Sequence, residues 1–434
     1  MKILNEKNKN RLFILGGIFL FILSFIIGSE LLTTRYLYWF AAGMGCVGLM
    51  FLGSLHLDIS KIKISYGLFA CWLSVGALIL VSSIRFSIDW ITDALMYIGM
   101  VPVFLFLWGA VSPDILYKKL SKICVISFGI YLVFSAFFFP MNDAVYAGLY
   151  NNANGAAQFL SLVFVCVLVK FLFSEKRQLS GLYLFLTGLC GALIFYTNSR
   201  TGQLCAISVL CVTLFFYIWK KSQSWKDVLV KRVFPILAAI IVMVMLVPHI
   251  FGFMYTVGEK ILDLSSFINE AIGELDGELG EKSIFFASIE KNGEGFNTAG
   301  KTLDTYSAGR VSIWKEYLKN ITLFGSGKEE KFWIGSRDCY YTTAHMTALT
   351  FAFRSGAICG VLYILYLSLS AIKTLKLVLK NGAEEYTLFL MGVTVSFIIT
   401  STLASINTPF AYMLTIYYYF VQVWIMRKVD EKGR

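Results

Sequence analysis

Residues 340–367 read "YYTTAHMTALTFAFRSGAICGVLYILYL". The stretch begins polar and ends apolar, and the apolar part continues to Lys373. About 20 such residues in a helix cross the roughly 30 Å hydrocarbon of a bilayer. The stretch therefore reads as a chain entering a membrane from water. His345 stands at the changeover, and Arg354 sits inside the start of the apolar run.

The rest of the chain follows the same pattern. It has 434 residues, of which 57% are hydrophobic and only 15% charged, and its mean hydropathy is +0.70. A soluble protein of this size needs far more polar surface. Charge-poor runs long enough to span occur at about 12–29, 36–57, 64–84, 90–110, 123–142, 153–173, 178–197, 201–219, 233–251, 348–372, 386–405 and 408–426. The expected fold is an all-α integral membrane protein with about 12 transmembrane helices and both termini cytoplasmic. The expected organisation is nine spans over 1–251, a large external loop over 252–344 with amphipathic helices, and three spans over 345–434. The first span follows a basic start without a small-residue cleavage site and is read as retained.

The formal charge of +11 is distributed as topology rather than as a nucleic-acid surface. With the N-terminus inside, the inner segments hold 24 of the 38 Lys and Arg residues, while the short outer turns hold Arg35, Arg85 and Arg200. That is the positive-inside pattern of a multi-pass membrane protein. All cysteines except Cys339 lie in apolar runs and read as small hydrophobes.

Roughly ninety residues separate the ninth and tenth spans, long enough to be functional or unstructured. The first half of this loop is acidic, with Ile261, Leu264, Ile268 and Ile272 at helical spacing. The second half contains "GRVSIWKEYLKNITLFGSG" (309–327), in which Ile313, Tyr317 and Ile321 share a helical face beside Trp314, and Gly325 ends the helix. A bland reading makes this an interfacial helix anchored by Trp314. It leaves Arg310, at the helix start, unexplained.

Polar groups gather at expected outer ends. "NNANGAAQ" (151–158) opens the sixth span and "TNSRTGQ" (197–203) is a tight turn between the seventh and eighth. Arg200 in that turn is either a snorkelling, lipid-paired arginine or a fixed fork for phosphate oxygens. Arg310 offers a second fork. Two arginines and a histidine at headgroup depth suit a substrate carrying a pyrophosphate. Continuing the tenth helix backward lifts His345 about 13 Å beyond Arg354 and puts the two on opposite faces. Arg354 is kept as a further candidate, as are Asn154, Ser199 and Trp314. His56 and His249 read as structural histidines at boundaries. No Asp-rich metal cluster stands on the expected outer face, and neither a metal nor a cofactor is expected.

The ordered set "SRTG" (199–202), "GRVSIWKEYL…LFGSG" (309–327) and "H…GAICG" (345–360), with Asn154–Ala157 before it, resembles the O-antigen ligase and O-antigen polymerase family. The resemblance covers about 150–370. It implies a metal-independent inverting glycosyltransferase that takes a glycan from an undecaprenyl diphosphate carrier on the outer face. It further implies that His345 assists the acceptor hydroxyl and that Arg200 and Arg310 hold the diphosphate. In this sequence Met346 follows the histidine, and the glycine pair is Gly356 and Gly360. The chemistry agrees. A neutral imidazole can accept a hydroxyl proton, and fixed guanidinium groups meet the charge developing on a diphosphate leaving group without titrating. Asp304, Glu316 and Asp338 stay open as bases.

The expected partners are an undecaprenyl-diphosphate-linked glycan donor, a glycan acceptor that is itself lipid-linked, and membrane lipids, with no nucleic acid. The wealth of Lys, Asn, Ile and Phe favours a low-GC source and hence polymerisation of capsular or exopolysaccharide repeats over ligation to a lipid core. The alternative of another class is a lipid-linked oligosaccharide transporter. That function calls for charges at mid-depth in both halves and has no need of a fixed histidine.

Overall fold

The computed structural model describes residues 5–29, 36–53, 64–87, 90–138, 146–150, 152–221, 225–272, 310–326, 332–334, 339–341, 344–404 and 410–427. His56, Asp304 and Asp338 lie outside these residues.

The described residues are all but entirely helical. The helices are α1 (Glu6–Gly28), α2 (Tyr36–Leu52), α3 (Tyr66–Arg85), α4 (Ile91–Trp108), α5 (Pro113–Phe138), α6 (Ala153–Phe173), α7 (Arg177–Tyr196) and α8 (Arg200–Lys221). A short α9 (Trp225–Val228) passes through a π-helical turn, Leu229–Val233, into α10 (Phe234–Ile272). There follow α11 (Arg310–Asn320), α12 (Thr347–Ser355), α13 (Ala357–Asn381), α14 (Glu385–Leu403) and α15 (Met413–Met426). An antiparallel hairpin pairs β1 (Phe332–Ile334) with β2 (Cys339–Tyr341) between α11 and α12.

Among the described residues nine helices are long and apolar enough to cross a membrane. Three shorter apolar helices, Tyr38–Leu52, Ala94–Trp108 and Met413–Met426, fall on the expected second, fourth and twelfth spans. The eight cysteines of the apolar runs are free thiols.

Three elements differ from the sequence expectation. The amphipathic stretch 261–272 is not a separate loop helix. It continues the ninth span as part of the 39-residue α10, about 58 Å long at 1.5 Å per residue and so nearly twice the hydrocarbon thickness. The fifth helix begins at Pro113, ten residues early, and carries Asp114 and Lys118 as an i,i+4 pair at 2.6 Å. The tenth span is broken. Gly356 at φ +98° separates α12 from α13, because a side chain there would collide with the Leu323 carbonyl oxygen and come within 2.7 Å of Phe324 Cα.

The centre of the bundle is α6, whose apolar stretch is 89% buried. It is surrounded by protein rather than lipid, which is why it is apolar on every face. Small residues let its neighbours close in. A Cβ on Gly202 of α8 would sit 2.6 Å from Ala157 Cβ, and one on Gly392 of α14 would sit 2.7 Å from Val165 Cγ1.

Helix directions follow from two contacts. Lys170, near the end of α6, pairs with Glu385 at the start of α14 at 3.5 Å, so those helices are antiparallel. Cys205, in the second turn of α8, lies 3.5 Å from Thr400 Oγ1 near the end of α14. The starts of α6 and α8 and the end of α14 therefore share one end of the bundle. The opposite end carries Lys170, Arg232, Lys373 and Arg427, whose side chains reach Glu385, the Phe171 carbonyl, Ser65 and the Val111 carbonyl.

Candidate functional site

The turn before α8 is built by its own hydroxyls. Thr197 Oγ donates to the Ile194 carbonyl at 2.7 Å and accepts the Ser199 N–H at 3.2 Å. Asn198 takes the left-handed conformation, φ +53°, which asparagine tolerates better than most residues. Ser199 Oγ accepts the Gly202 N–H at 3.3 Å, the hydrogen bond of a helix N-cap. The same hydroxyl donates to Asn154 Oδ1 at 2.8 Å. Asn154 belongs to the first turn of α6, which Asn152 caps by accepting the Gly155 N–H at 2.8 Å. Two helix starts are thus locked together. Arg200 follows the cap as the first residue of α8, with its side chain exposed. Asn154 and Ser199, expected as possible ligands, are hydrogen-bonded to each other and tie the backbone at Arg200 to the start of α6.

The second half of the site comes from α11. Ile313 and Tyr317 are fully buried and pack with Ala344, Leu349 and Phe353. The Tyr317 ring lies 5.2 Å from Phe353 and 4.8 Å from Phe332. The helix is therefore docked on α12 and the hairpin. Trp314 is more than an anchor, because its Nε1–H donates to the Ala344 carbonyl at 2.9 Å, one residue before His345. Arg310 lies one turn earlier on the same helix and is half-buried. Burial, and then the charge of Arg200, lower its pKa from the usual arginine value. The fold has brought two guanidinium groups from distant parts of the chain into each other's field. Like charges held together in this way form a ready site for an anion.

His345 does not continue the α12 helix. It sits outside it at φ +50°, half-buried, and α12 begins at Thr347 with Met346 as its cap. The sequence arithmetic of height and helical phase relative to Arg354 therefore does not hold. A non-glycine residue in this region carries a strain of about 1–2 kcal/mol. Both flanks hold it there. Trp314 grips Ala344, and Thr347 Oγ donates to the Ala404 carbonyl at the end of α14, at 3.2 Å. That second tie reaches the same α14 terminus that lies beside α8. His345 and the start of α8 are thereby linked through α14.

Arg354 is placed elsewhere. Its guanidinium carbon stands 5.3 Å over the Trp90 ring, a cation–π contact that engages it with the start of α4. Glu316 pairs with Lys319 at 2.6 Å, and His249 is exposed on α10. Among the described residues no three His, Cys, Asp or Glu side chains gather as metal ligands.

The interlock of "LFGSG" with "RSG" was not foreseen. The Ala357 N–H donates to the Thr322 carbonyl at 2.9 Å. Gly325, at φ +87°, is so close to the Arg354 carbonyl oxygen that a Cβ would overlap it. Gly325 was legible as a helix stop, whereas Gly356 lay inside an expected span. Their pairing across thirty residues was not.

Residues 185–364 match a family model described as O-antigen ligase. The match includes Arg200, Arg310, Trp314, His345 and Arg354 and stops short of Asn154. It shows, for this part of the chain, the likeness to O-antigen ligases and polymerases carried by the motifs, and with it a glycosyltransferase-like membrane enzyme. No curated protein and no solved structure matches the chain.

Proposed function

We propose that this protein is an inverting glycosyltransferase working at the outer face of the bacterial cytoplasmic membrane. It moves a glycan from undecaprenyl diphosphate to a sugar hydroxyl and so polymerises capsular, exopolysaccharide or O-antigen repeat units. In this reading the acceptor hydroxyl attacks the anomeric carbon of the donor glycan. The bond from that carbon to the diphosphate oxygen breaks with inversion, and undecaprenyl diphosphate leaves. His345 takes the hydroxyl proton as the new bond forms. Arg200 and Arg310 bind the diphosphate and neutralise its charge as it departs.

The observation that carries the reading is that α11, whose first residue Arg310 feels the charge of Arg200, is hydrogen-bonded through Trp314 to the residue before His345. A lipid anchor has no need of a partner arginine, and a structural histidine has no need of a left-handed backbone held on both sides.

The test is a reconstitution of purified protein with undecaprenyl-diphosphate-linked glycan. Chain growth with release of undecaprenyl diphosphate is expected, with loss in His345→Ala. Turnover unchanged in that variant would remove His345 from the mechanism. Transfer confined to a non-glycan lipid acceptor would make the protein a ligase, and movement of the donor across the bilayer without bond cleavage would make it a transporter.

A further inference from the structure

A cavity of about 360 Å³ opens at the other end of α7, between the end of α6, the start of α7 and the π-turn that leads into α10. It is about 30 Å from Arg200 along the 20 residues of α7. Charge distribution assigns this end to the cytoplasm. The cavity is lined on its polar side by Arg177, Lys231, Arg232 and Ser180, against the single carboxylate of Glu175. Lys231 is paired with Asp227 at 3.4 Å, but both groups are largely in solvent, where such a pair is worth little. Arg232 is better fixed. Its Nη1–H donates to the Phe171 carbonyl at 3.0 Å and its guanidinium lies 5.1 Å from the Phe171 ring. The remaining N–H groups of that fork stay available. The π-turn, Leu229–Val233, contains both Lys231 and Arg232. Pro235, two residues on, has no N–H for the Lys231 carbonyl and crowds it with its ring, which accounts for the widening.

The other walls are apolar, from Leu184 and Pro235. Around and beyond them, α7 and α10 expose Leu182, Phe185, Phe234 and Leu237. A basic mouth over an apolar track matches a molecule with an anionic head and acyl tails. A soluble phosphate would leave the track unexplained.

We propose that this cavity binds the phosphodiester headgroup of an anionic phospholipid from the basic-side leaflet, with its acyl chains lying along α7 and α10. The lipid would tie the start of α7 to the start of α10. It does not depend on the glycan chemistry at the other end.

The test uses the full chain in dodecyl maltoside, titrated with dioleoyl phosphatidylglycerol or dioleoyl phosphatidylcholine and read by native mass spectrometry. These lipids share tails and differ in headgroup charge. The wild type is expected to prefer phosphatidylglycerol. The double variant Arg177→Gln/Lys231→Gln leaves Arg232 and its Phe171 contact in place and should lose roughly tenfold or more of that preference, at about fivefold per basic group. Ser180→Phe fills the cavity while keeping every charge and should lose the preference as well. Wild-type preference in Ser180→Phe would mean that diffuse surface charge holds the lipid, overturning the site. Wild-type preference in the double variant overturns it equally. Displacement of the lipid by excess inorganic phosphate would mark a soluble-anion site instead and overturn the lipid assignment.

Discussion

Trp314→Phe isolates what positions His345. The substitution keeps an aromatic ring in the cluster of Ile313, Tyr317, Leu349 and Phe353 and deletes one donor, the indole N–H on the Ala344 carbonyl. Ala344 is fully buried, so its carbonyl loses this partner where water reaches it poorly. Leaving a buried acceptor unsatisfied costs about 1–3 kcal/mol. The bend at 344–346 can relieve that cost by letting His345 drop its left-handed backbone, which itself holds about 1–2 kcal/mol of strain. Local rearrangement is therefore favoured over global unfolding. If the misplacement is felt only in the transition state, 1–3 kcal/mol corresponds to about a 5- to 150-fold fall in kcat. KM for the lipid-linked donor should change little, because Arg200 and Arg310 remain. The assay is chain growth on lipid-linked glycan with kcat and KM separated, beside the melting temperature of the purified protein. A folded Trp314→Phe variant with wild-type kcat would refute the idea that this hydrogen bond places the histidine.

Three further outcomes are expected. Arg200→Lys and Arg310→Lys should each lose most activity although charge is kept, since an ammonium cannot grip a diphosphate bidentately; full activity in both, in the same assay, would reduce them to lipid anchors. Ser199→Ala removes the cap of α8 and the bond to Asn154. It should cost about 0.5–2 kcal/mol in stability, read as a lowered melting temperature, with a fall in donor affinity as the backbone at Arg200 loses its tie to the start of α6. Gly356→Ala combines a glycine-only backbone, φ +98° and ψ 158°, with collision against the 323–325 backbone. Strain and overpacking together put its destabilisation at about 2–6 kcal/mol, enough to lower the yield of folded protein in detergent.

Much of the architecture was legible because membrane insertion is a one-dimensional problem. Whether residues 153–173 or 66–85 can cross a bilayer depends on their length and apolarity, and the helices formed where those properties predicted them. Where the reading failed, a different force intervened. Hydropathy carries no information on whether α10 stops at the membrane surface, since helix propagation beyond it depends on local propensity and packing. The break at Gly356 was hidden because an apolar run looks the same straight or interrupted. The conformation of His345 was misjudged for the same reason, with helical phase extended across a residue that is not helical.

Residue chemistry alone singled out Arg200, Arg310 and His345, because arginine in a tight turn, arginine at a helix start and histidine at a polar-to-apolar boundary are each costly without a use. The sequence was also enough for the likeness to O-antigen ligases over 185–364, since it rests on local composition and order. Tertiary packing decided that Arg354 goes to Trp90, that Ser199 and Asn154 tie the start of α8 to that of α6, and that Trp314 and Thr347 clamp the two sides of the histidine. Those outcomes depend on which helices run antiparallel and how closely they approach. Gly202, Gly392, Gly325 and Gly356 permit that approach, and it has no signature in any single stretch of the chain.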